Sequence, residues 1–408
     1  MLPFPALVLA IASLPIVAPH AWEKRAFQAA VLAALSLPVI FELAVCGRVD
    51  HLSRTAGEYV SFITTLGALF VAAGGVHAMG DLEATPATNV AFLLVGSLLA
   101  SLIGTTGASV LVVRPLLRTN SQRKNKAHLV PFFILAVANA GGLLTPLGDP
   151  PLLMGFIEGV PFFWTLRLLP VWLLYVGSFA VGLYIADRRA YAREAPEALA
   201  RDRTEKMPLR IRGAHNLGWL VAIICAAFLP RGLRELSMVG IGLASYFGTS
   251  REVHALNQFS LAPLLEVALV FSGLFACLIP IESGLADRAA HLPLHHGWQL
   301  FWVSGALSAV LDNAPTYAAF AALSRGLSAG QANLVAGVTP LKLAAISAGS
   351  VVMGATTYIG NGPNLILKSI AEKSGYSLPS FGRFALFAFA AMLPAHVVMT
   401  VLFAALER

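Results

Sequence analysis

Long apolar stretches alternate with short polar connections along the whole chain. Apolar runs read as candidate bilayer crossings, which take about 20 residues, fall near 3–21, 27–46, 57–79, 87–117, 129–158, 162–186, 215–230, 235–248, 260–282, 298–324, 331–367 and 384–406. Each predicts a helix, because an open strand in lipid would leave backbone groups unpaired. The runs 87–117, 129–158 and 331–367 are too long for one straight helix. Each carries a Gly/Pro/Asn/Thr cluster in its middle, and so does 298–324. The clusters are Gly104-Thr105-Thr106-Gly107-Ala108-Ser109, Thr145-Pro146-Leu147-Gly148-Asp149-Pro150-Pro151, Leu311-Asp312-Asn313-Ala314-Pro315-Thr316 and Thr356-Thr357-Tyr358-Ile359-Gly360-Asn361-Gly362-Pro363-Asn364. Proline removes a backbone donor and clashes with the preceding turn. Each cluster should therefore unwind its helix at some depth, which is tolerated only inside protein or beside water.

The clusters recur in pairs. Leu69-Phe70 matches Leu274-Phe275 at an offset of 205, Gly104-Thr105 matches Asp312-Asn313 at 208, and Gly148-Asp149-Pro150-Pro151 matches Gly360-Asn361-Gly362-Pro363 at 212. Thr145 then falls on Thr357, and Gly142 on Gly354. A slowly drifting offset is what small loop insertions produce between two repeats, an arrangement common in transporters. If 87–117 and 298–324 are hairpins that enter and return on one side, an odd number of crossings separates the two repeats, and the second is inverted. The cations fit: 18 of the 28 Lys and Arg fall on one side, eight of them in the 187–214 loop, against 7 on the other, with Arg114, Arg167 and Lys342 in or beside spans. The richer side reads as cytoplasmic. The expected organisation is N-terminal transmembrane helices over 1–54, a first inverted repeat over 55–186, a basic loop with linking helices over 187–258, and a second inverted repeat over 259–408.

Composition narrows the class. Hydrophobic residues make up 57% and charged residues 12%, with a mean hydropathy of +0.74, against roughly 25% charged in a soluble domain. A water-soluble enzyme or nucleic-acid binder is excluded, and the net charge of +7 reflects cytoplasmic loops instead. Cys46, Cys225 and Cys277 lie far apart, without metal or redox spacing. No cofactor motif is present. The first cations, Lys24 and Arg25, follow the apolar stretch Leu2–Ala21, so it reads as a retained span rather than a cleaved leader.

Ionisable groups deep in a membrane are costly and tend to be functional. Two carboxylates sit inside the breaks, Asp149 in a discontinuous helix and Asp312 at a hairpin tip. Each could cap the helix that follows it, yet neutral Asn caps nearly as well, as Asn361 does where Asp149 stands in the first repeat. Thr105, Thr106, Ser109, Asn139, Thr145, Asn313, Thr356, Thr357, Asn361 and Asn364 add neutral oxygens of the kind hard cations take. Other candidates are weaker. Glu58 reads as an interfacial anchor, Glu42 and Glu266 as a proton path or a bundle-facing pair, His77 as interfacial, and Lys342 as snorkelling. His291, His295 and His296 read as a solvated loop. An intramembrane aspartyl protease is disfavoured, because Pro146-Leu147-Gly148-Asp149 lacks the Gly-x-Gly-Asp spacing and no Tyr precedes Asp312.

The stretches SLIGTTGASVLVVRPLLRTN, NAGGLLTPLGDPPLLMGFIEGVPFFW, SAVLDNAPTYAAF and GATTYIGNGPNLILKSIAEKSG resemble the NhaD/ArsB-like sodium:proton antiporters of the ion transporter superfamily, which also holds citrate and dicarboxylate carriers and arsenite pumps. The likeness runs over about 55–400. It implies two inverted repeats, each with a re-entrant hairpin and a broken helix, often a homodimer, in the inner membrane of a bacterium. It places the site foremost at Asp149, Asp312, Asn313 and Asn361. Relatives carry Asn where Thr356 stands, a departure at that position.

Four half-helix N-termini would favour an anion. Two aspartates oppose this: at ~5 Å and an effective dielectric of ~20, each repels a substrate carboxylate by roughly 3 kcal/mol. The breaks hold no Lys or Arg to offset that. The sequence therefore predicts Na⁺(Li⁺)/H⁺ antiport, with a proton and Na⁺ competing for Asp149 and Asp312, and with Na⁺ held by Asp149, Asp312, Asn313 and Asn361. Cation-coupled transport of citrate, a dicarboxylate or another anion is the alternative.

Overall fold

The computed structural model describes residues 2–22, 24–289 and 292–407; His291 and Arg408 lie outside them. In chain order the elements are α1 (Pro3–Val17), α2 (Pro19–Trp22), α3 (Arg25–Val45), α4 (Val49–Gly74), β1 (His77–Asp81), α5 (Pro86–Ile103), α6 (Thr105–Thr119), α7 (Leu129–Ala136), α8 (Pro150–Ile157), α9 (Leu169–Tyr191), α10 (Pro196–Thr204), β2 (Met207–Arg212), α11 (His215–Ala226), α12 (Leu233–Gly248), α13 (Arg251–Leu256), α14 (Ala262–Arg288), α15 (Gly297–Ser308), α16 (Asn313–Leu327), α17 (Pro340–Met353), α18 (Gly362–Lys373) and α19 (Phe381–Leu406). Among the described residues, six helices are long and apolar enough to cross a membrane: Arg25–Val45, Val49–Gly74, Pro86–Ile103, Phe162–Tyr191, Ala262–Ile281 and Phe381–Leu406. The protein is mostly helical and multi-pass.

All four clusters break their helices. Gly104, at φ +84, separates α5 from α6. A 3₁₀ turn at Ala140–Leu144 and an unwound stretch separate α7 from α8, and the segment from Ala309 to Asp312 separates α15 from α16. Another 3₁₀ turn, Gly354–Thr356, and extended backbone at Thr357 lie between α17 and α18. Asn89, in the first turn of α5, and Asn120, just past α6, exchange hydrogen bonds in both directions, at 3.0 and 2.7 Å. So α6 returns to where α5 began. The ends of α15 and α16 also meet at one place, the start of α17: Leu341 faces Gly297, and Lys342 Nζ donates to the Leu327 carbonyl at 2.8 Å.

Three runs differ from expectation. The span read at 57–79 begins at Val49 and stops at Gly74. Its polar start, with Asp50, His51, Ser53 and Arg54, is the exposed end of an amphipathic helix. Its last residues leave the helix because 77–81 pairs antiparallel with 207–212, a long-range match that no local pattern signals. The run read at 331–367 becomes helical only at Pro340, because Asn333, Ala336 and Gly337 hold positive φ in a turn bridging Val335 and Val338. The third is α5: its 18 residues rise about 27 Å, long enough to cross on its own, whereas α15, with 12 residues, is not.

Connections assigned by charge to one side touch one another. On the cation-rich side β1 pairs with β2, and Tyr376 Oη donates to the Leu117 carbonyl. There Lys206 and Arg203 bind Glu83 at 2.6 and 3.2 Å, and the Lys206 hydrogen bond foremost holds the Glu83 carboxyl below its ordinary range. On the other side Arg325 pairs with Glu158, Arg231 donates to the Ile157 carbonyl, and His296 meets Glu407.

The cation-rich face also holds a buried ionic knot. Arg123, 2% exposed, pairs with Asp187 at 2.5 Å and lies 3.7 Å from Glu194. Asp187 also accepts from Asn89 at 2.8 Å and lies 3.0 Å from His128 Nε2. The knot joins the start of α5, the loop before α7 and the end of α9. Removing one partner of such a pair leaves an uncompensated buried charge, a loss of about 3–5 kcal/mol. Arg123→Met should thus lower the thermal unfolding midpoint of the detergent-solubilised protein markedly, with Arg123→Lys between it and wild type. An unchanged midpoint would contradict the reading.

Candidate functional site

The two broken helices repeat one local geometry. Before the first, the Thr145 hydroxyl donates to the Ser101 carbonyl; before the second, the Thr357 hydroxyl donates to the Ala309 carbonyl. Both threonines have extended backbone, at φ −138 and −131. A Cβ on Gly148 would lie 2.1 Å from the Gly142 carbonyl oxygen, and one on Gly360 would lie 2.6 Å from that of Gly354. These glycines let the unwound strand lie against the preceding turn, and Pro150, first in α8, and Pro363, second in α18, then open the next half-helix with φ already set. Asp149 and Asn361 hold the same position, each just before its half-helix, at φ −147 and −154.

Asp149 is 2% exposed and collects donors from three other segments. Thr105 Oγ1 donates to Oδ1 at 2.8 Å, Asn313 Nδ2 donates to Oδ2 at 2.5 Å, and Asn361 Nδ2 lies 3.5 Å from Oδ1. A chain of amides ties the breaks together. Asn361 Nδ2 donates to the Ala138 carbonyl at 2.9 Å and to Asn139 Oδ1 at 3.1 Å, and Asn139 Nδ2 donates to Asn364 Oδ1 at 2.8 Å. Asn364 Nδ2 in turn donates to the Gly354 and Thr357 carbonyls. Side-chain amides thus replace the backbone bonds that unwinding removed, as burial requires.

Asp149 and Asp312 line one cavity of about 130 Å³ and lie near enough for their charges to oppose each other. Gly104, Thr105, Thr106, Pro150, Asn361 and Gly362 line it too, so the starts of α6, α8 and α18 and Asp312, the residue just before α16, converge there. The remaining wall is apolar, chiefly Leu66, Leu69, Phe70, Val267 and Phe271, and among the described residues no Lys, Arg or His contributes. Asn313 Oδ1 is buried and has no hydrogen-bond partner. The oxygens of Asp149 and Asp312 at this otherwise mostly apolar cavity are donors of the kind hard cations take.

The sequence candidates divide. Thr105, Asn313 and Asn361 each reach Asp149; Asp312 and Thr106 line the cavity with Asp149, Thr105 and Asn361; Asn364 joins through Asn139. Thr145 and Thr357 spend their hydroxyls on the Ser101 and Ala309 carbonyls. Thr356 neither lines this cavity nor carries a side-chain bond of the network. Glu58 binds Arg54 at 2.9 Å, Gln28 donates to Glu266 at 3.4 Å, and His77 Nδ1 lies 2.6 Å from Asn257. Sequence reasoning undervalued Asn139. It counted as one oxygen among many, and only the fold brings it between Asn361 and Asn364, more than 220 residues away.

Compared with known families, the chain matches the model of CitMHS_2, described as putative citrate transport, over residues 1–404. That match indicates transport within the ion transporter superfamily and does not specify the NhaD/ArsB-like antiporters. No curated protein compared with the chain matches it.

Proposed function

We propose, since the chain belongs to the CitMHS_2 family, that it is a secondary transporter moving a small carboxylate such as citrate or a dicarboxylate together with a cation. Asp149 and Asp312 hold the coupling Na⁺ or proton. The observation that carries this reading is the meeting of four helix N-termini with two carboxylates at one cavity. The N-termini favour negative charge, and the aspartates repel it until a cation neutralises them. An anion therefore enters favourably only after the cation is bound, the ordering that coupling needs. Binding then shifts the population between states open to either side.

Two inverted repeats, each with a re-entrant hairpin and a broken helix, fit this mechanism. The paired threonine–carbonyl bonds, the paired glycine contacts and the returning ends of α5–α6 and α15–α16 support them. One bundle moving against the other would expose the cavity alternately.

Na⁺(Li⁺)/H⁺ antiport is the second reading, favoured by one observation: among the described residues the cavity is lined by two carboxylates and no basic side chain. The test uses proteoliposomes with a trapped pH dye, labelled citrate or succinate outside, and an imposed Na⁺ or proton gradient. Carboxylate accumulation that follows the cation gradient is expected. Dye responses to Na⁺ or Li⁺ with no carboxylate uptake would select antiport instead.

A further inference from the structure

A second, larger cavity of about 440 Å³ adjoins the first. The two share Phe70, Thr106, Gly107, Pro263 and Ile366. It lies beside Asn257, whose amide donates to the Gly74 and Val76 carbonyls next to β1, on the cation-rich side of the protein. Its chemistry is the reverse of its neighbour's. Arg114 from α6 and Lys373 from the end of α18 line it, with Asn257, Gln258, Ser260 and Ser369, and among the described residues no Asp or Glu does. Among the described residues neither cation forms an ion pair with a carboxylate. Arg114 spends two N–H groups on the Leu256 and Asn257 carbonyls, at 2.5 and 3.0 Å. This holds its side chain in place while leaving its charge uncompensated.

We infer that the chain keeps its two cargoes in adjoining compartments. The 130 Å³ cavity at Asp149 and Asp312 takes the cation, and the 440 Å³ cavity at Arg114 and Lys373 is a carboxylate-binding mouth on the cytoplasmic side. The volumes agree: ligand pockets run from about 300 to 1,000 Å³, so the larger cavity accommodates a waiting di- or tricarboxylate. The charges agree as well. A dicarboxylate at Arg114 and Lys373 meets two positive groups, with serine hydroxyls and amide donors around it, and lies beside the cation instead of against the bare aspartates. This inference rests on the carboxylate reading above. It goes beyond that reading in placing the anion away from the four helix N-termini while it waits at the mouth.

The test measures labelled citrate and succinate transport in inside-out vesicles, where the cytoplasmic mouth faces the bath. Lys373→Gln and Arg114→Gln should each raise KM about tenfold, and the double variant by more, with the Na⁺ concentration for half-maximal rate unchanged. Arg114→Lys keeps the charge while losing the planar fork, so it should recover most of the loss. Unchanged KM in Lys373→Gln would overturn the inference. So would an Arg114→Lys as impaired as Arg114→Gln, since Arg114 would then act only as a clamp on the 256–257 backbone. If wild-type vesicles move neither carboxylate under any cation gradient, the carboxylate reading fails first and takes the inference with it. Carboxylate transport in wild type with unaltered variants sinks the inference alone.

Discussion

Asp149→Asn is expected to abolish cation-coupled transport, lowering the initial rate at least 100-fold, while the protein still folds. The geometry gives the reason. Asp149 supplies the charge on which Thr105, Asn313 and Asn361 converge. Asparagine keeps the size and one carbonyl acceptor, so much of the hydrogen bonding survives, and Asp149 makes no side-chain cap bond to α8 that could be lost. It cannot neutralise a cation or carry a proton. Asparagine already stands at the matching position, Asn361, where it donates to the carbonyl of Ala138, so the local backbone accepts that side chain. Asp312→Asn should also impair transport, with a smaller loss, because Asp312 lines the cavity without the three-donor cage. Rates in proteoliposomes, with the unfolding midpoint measured in parallel, separate a lost charge from a lost fold. An Asp149→Asn variant transporting at a tenth of the wild-type rate or better would refute the assignment.

Gly148→Ala is expected to give the largest stability loss of any single methyl added at the breaks. Its Cβ would sit 2.1 Å from the carbonyl oxygen of Gly142 and 2.8 Å from its carbonyl carbon. Both are backbone atoms that no rotamer change can move. Relief requires separating the unwound strand from the 3₁₀ turn, and Asp149 is the next residue, so the site moves with it. Overpacking of this kind costs about 3 kcal/mol. Gly360→Ala, whose nearest atom is the Gly354 carbonyl oxygen at 2.6 Å, should be damaging to a lesser degree. Gly177→Ala, inside α9 and with nothing within 4 Å, should be neutral or stabilising by up to about 1 kcal/mol. Unfolding midpoints for the three variants check the order. Equal midpoints for Gly148→Ala and Gly177→Ala would show that the close approach at the break is not maintained.

These contrasts show what a sequence discloses in a fold of this kind. The breaks were legible because proline and glycine act on their own few residues: Pro150 and Pro363 start helices, and Gly104 leaves one, whatever surrounds them. Asp149 stood out because a carboxylate between apolar runs is costly wherever the chain folds. The pairing of Thr145 with Thr357 was visible as a register and gained its physical content only when both hydroxyls met the Ser101 and Ala309 carbonyls. The rest depended on distant partners. Nothing near Asn139 says that Asn361 and Asn364 will surround it. Nothing in 77–81 says that 207–212 will pair with it. Arg123 read as one more loop cation, yet Asp187 and Glu194 bury it. The branch of the superfamily was the least legible, because the break motifs describe a scaffold and leave the transported ion open.

Simultaneous uptake of ²²Na⁺ and ¹⁴C-citrate into the same proteoliposomes, in wild type and Asp149→Asn, tests the coupling directly. The account predicts that citrate enters wild-type vesicles only with its coupling cation, either in a fixed ratio with ²²Na⁺ or under an imposed proton gradient, and that this uptake stops in the variant. Citrate entering at the same rate without Na⁺ or a proton gradient, and persisting in Asp149→Asn, would contradict it.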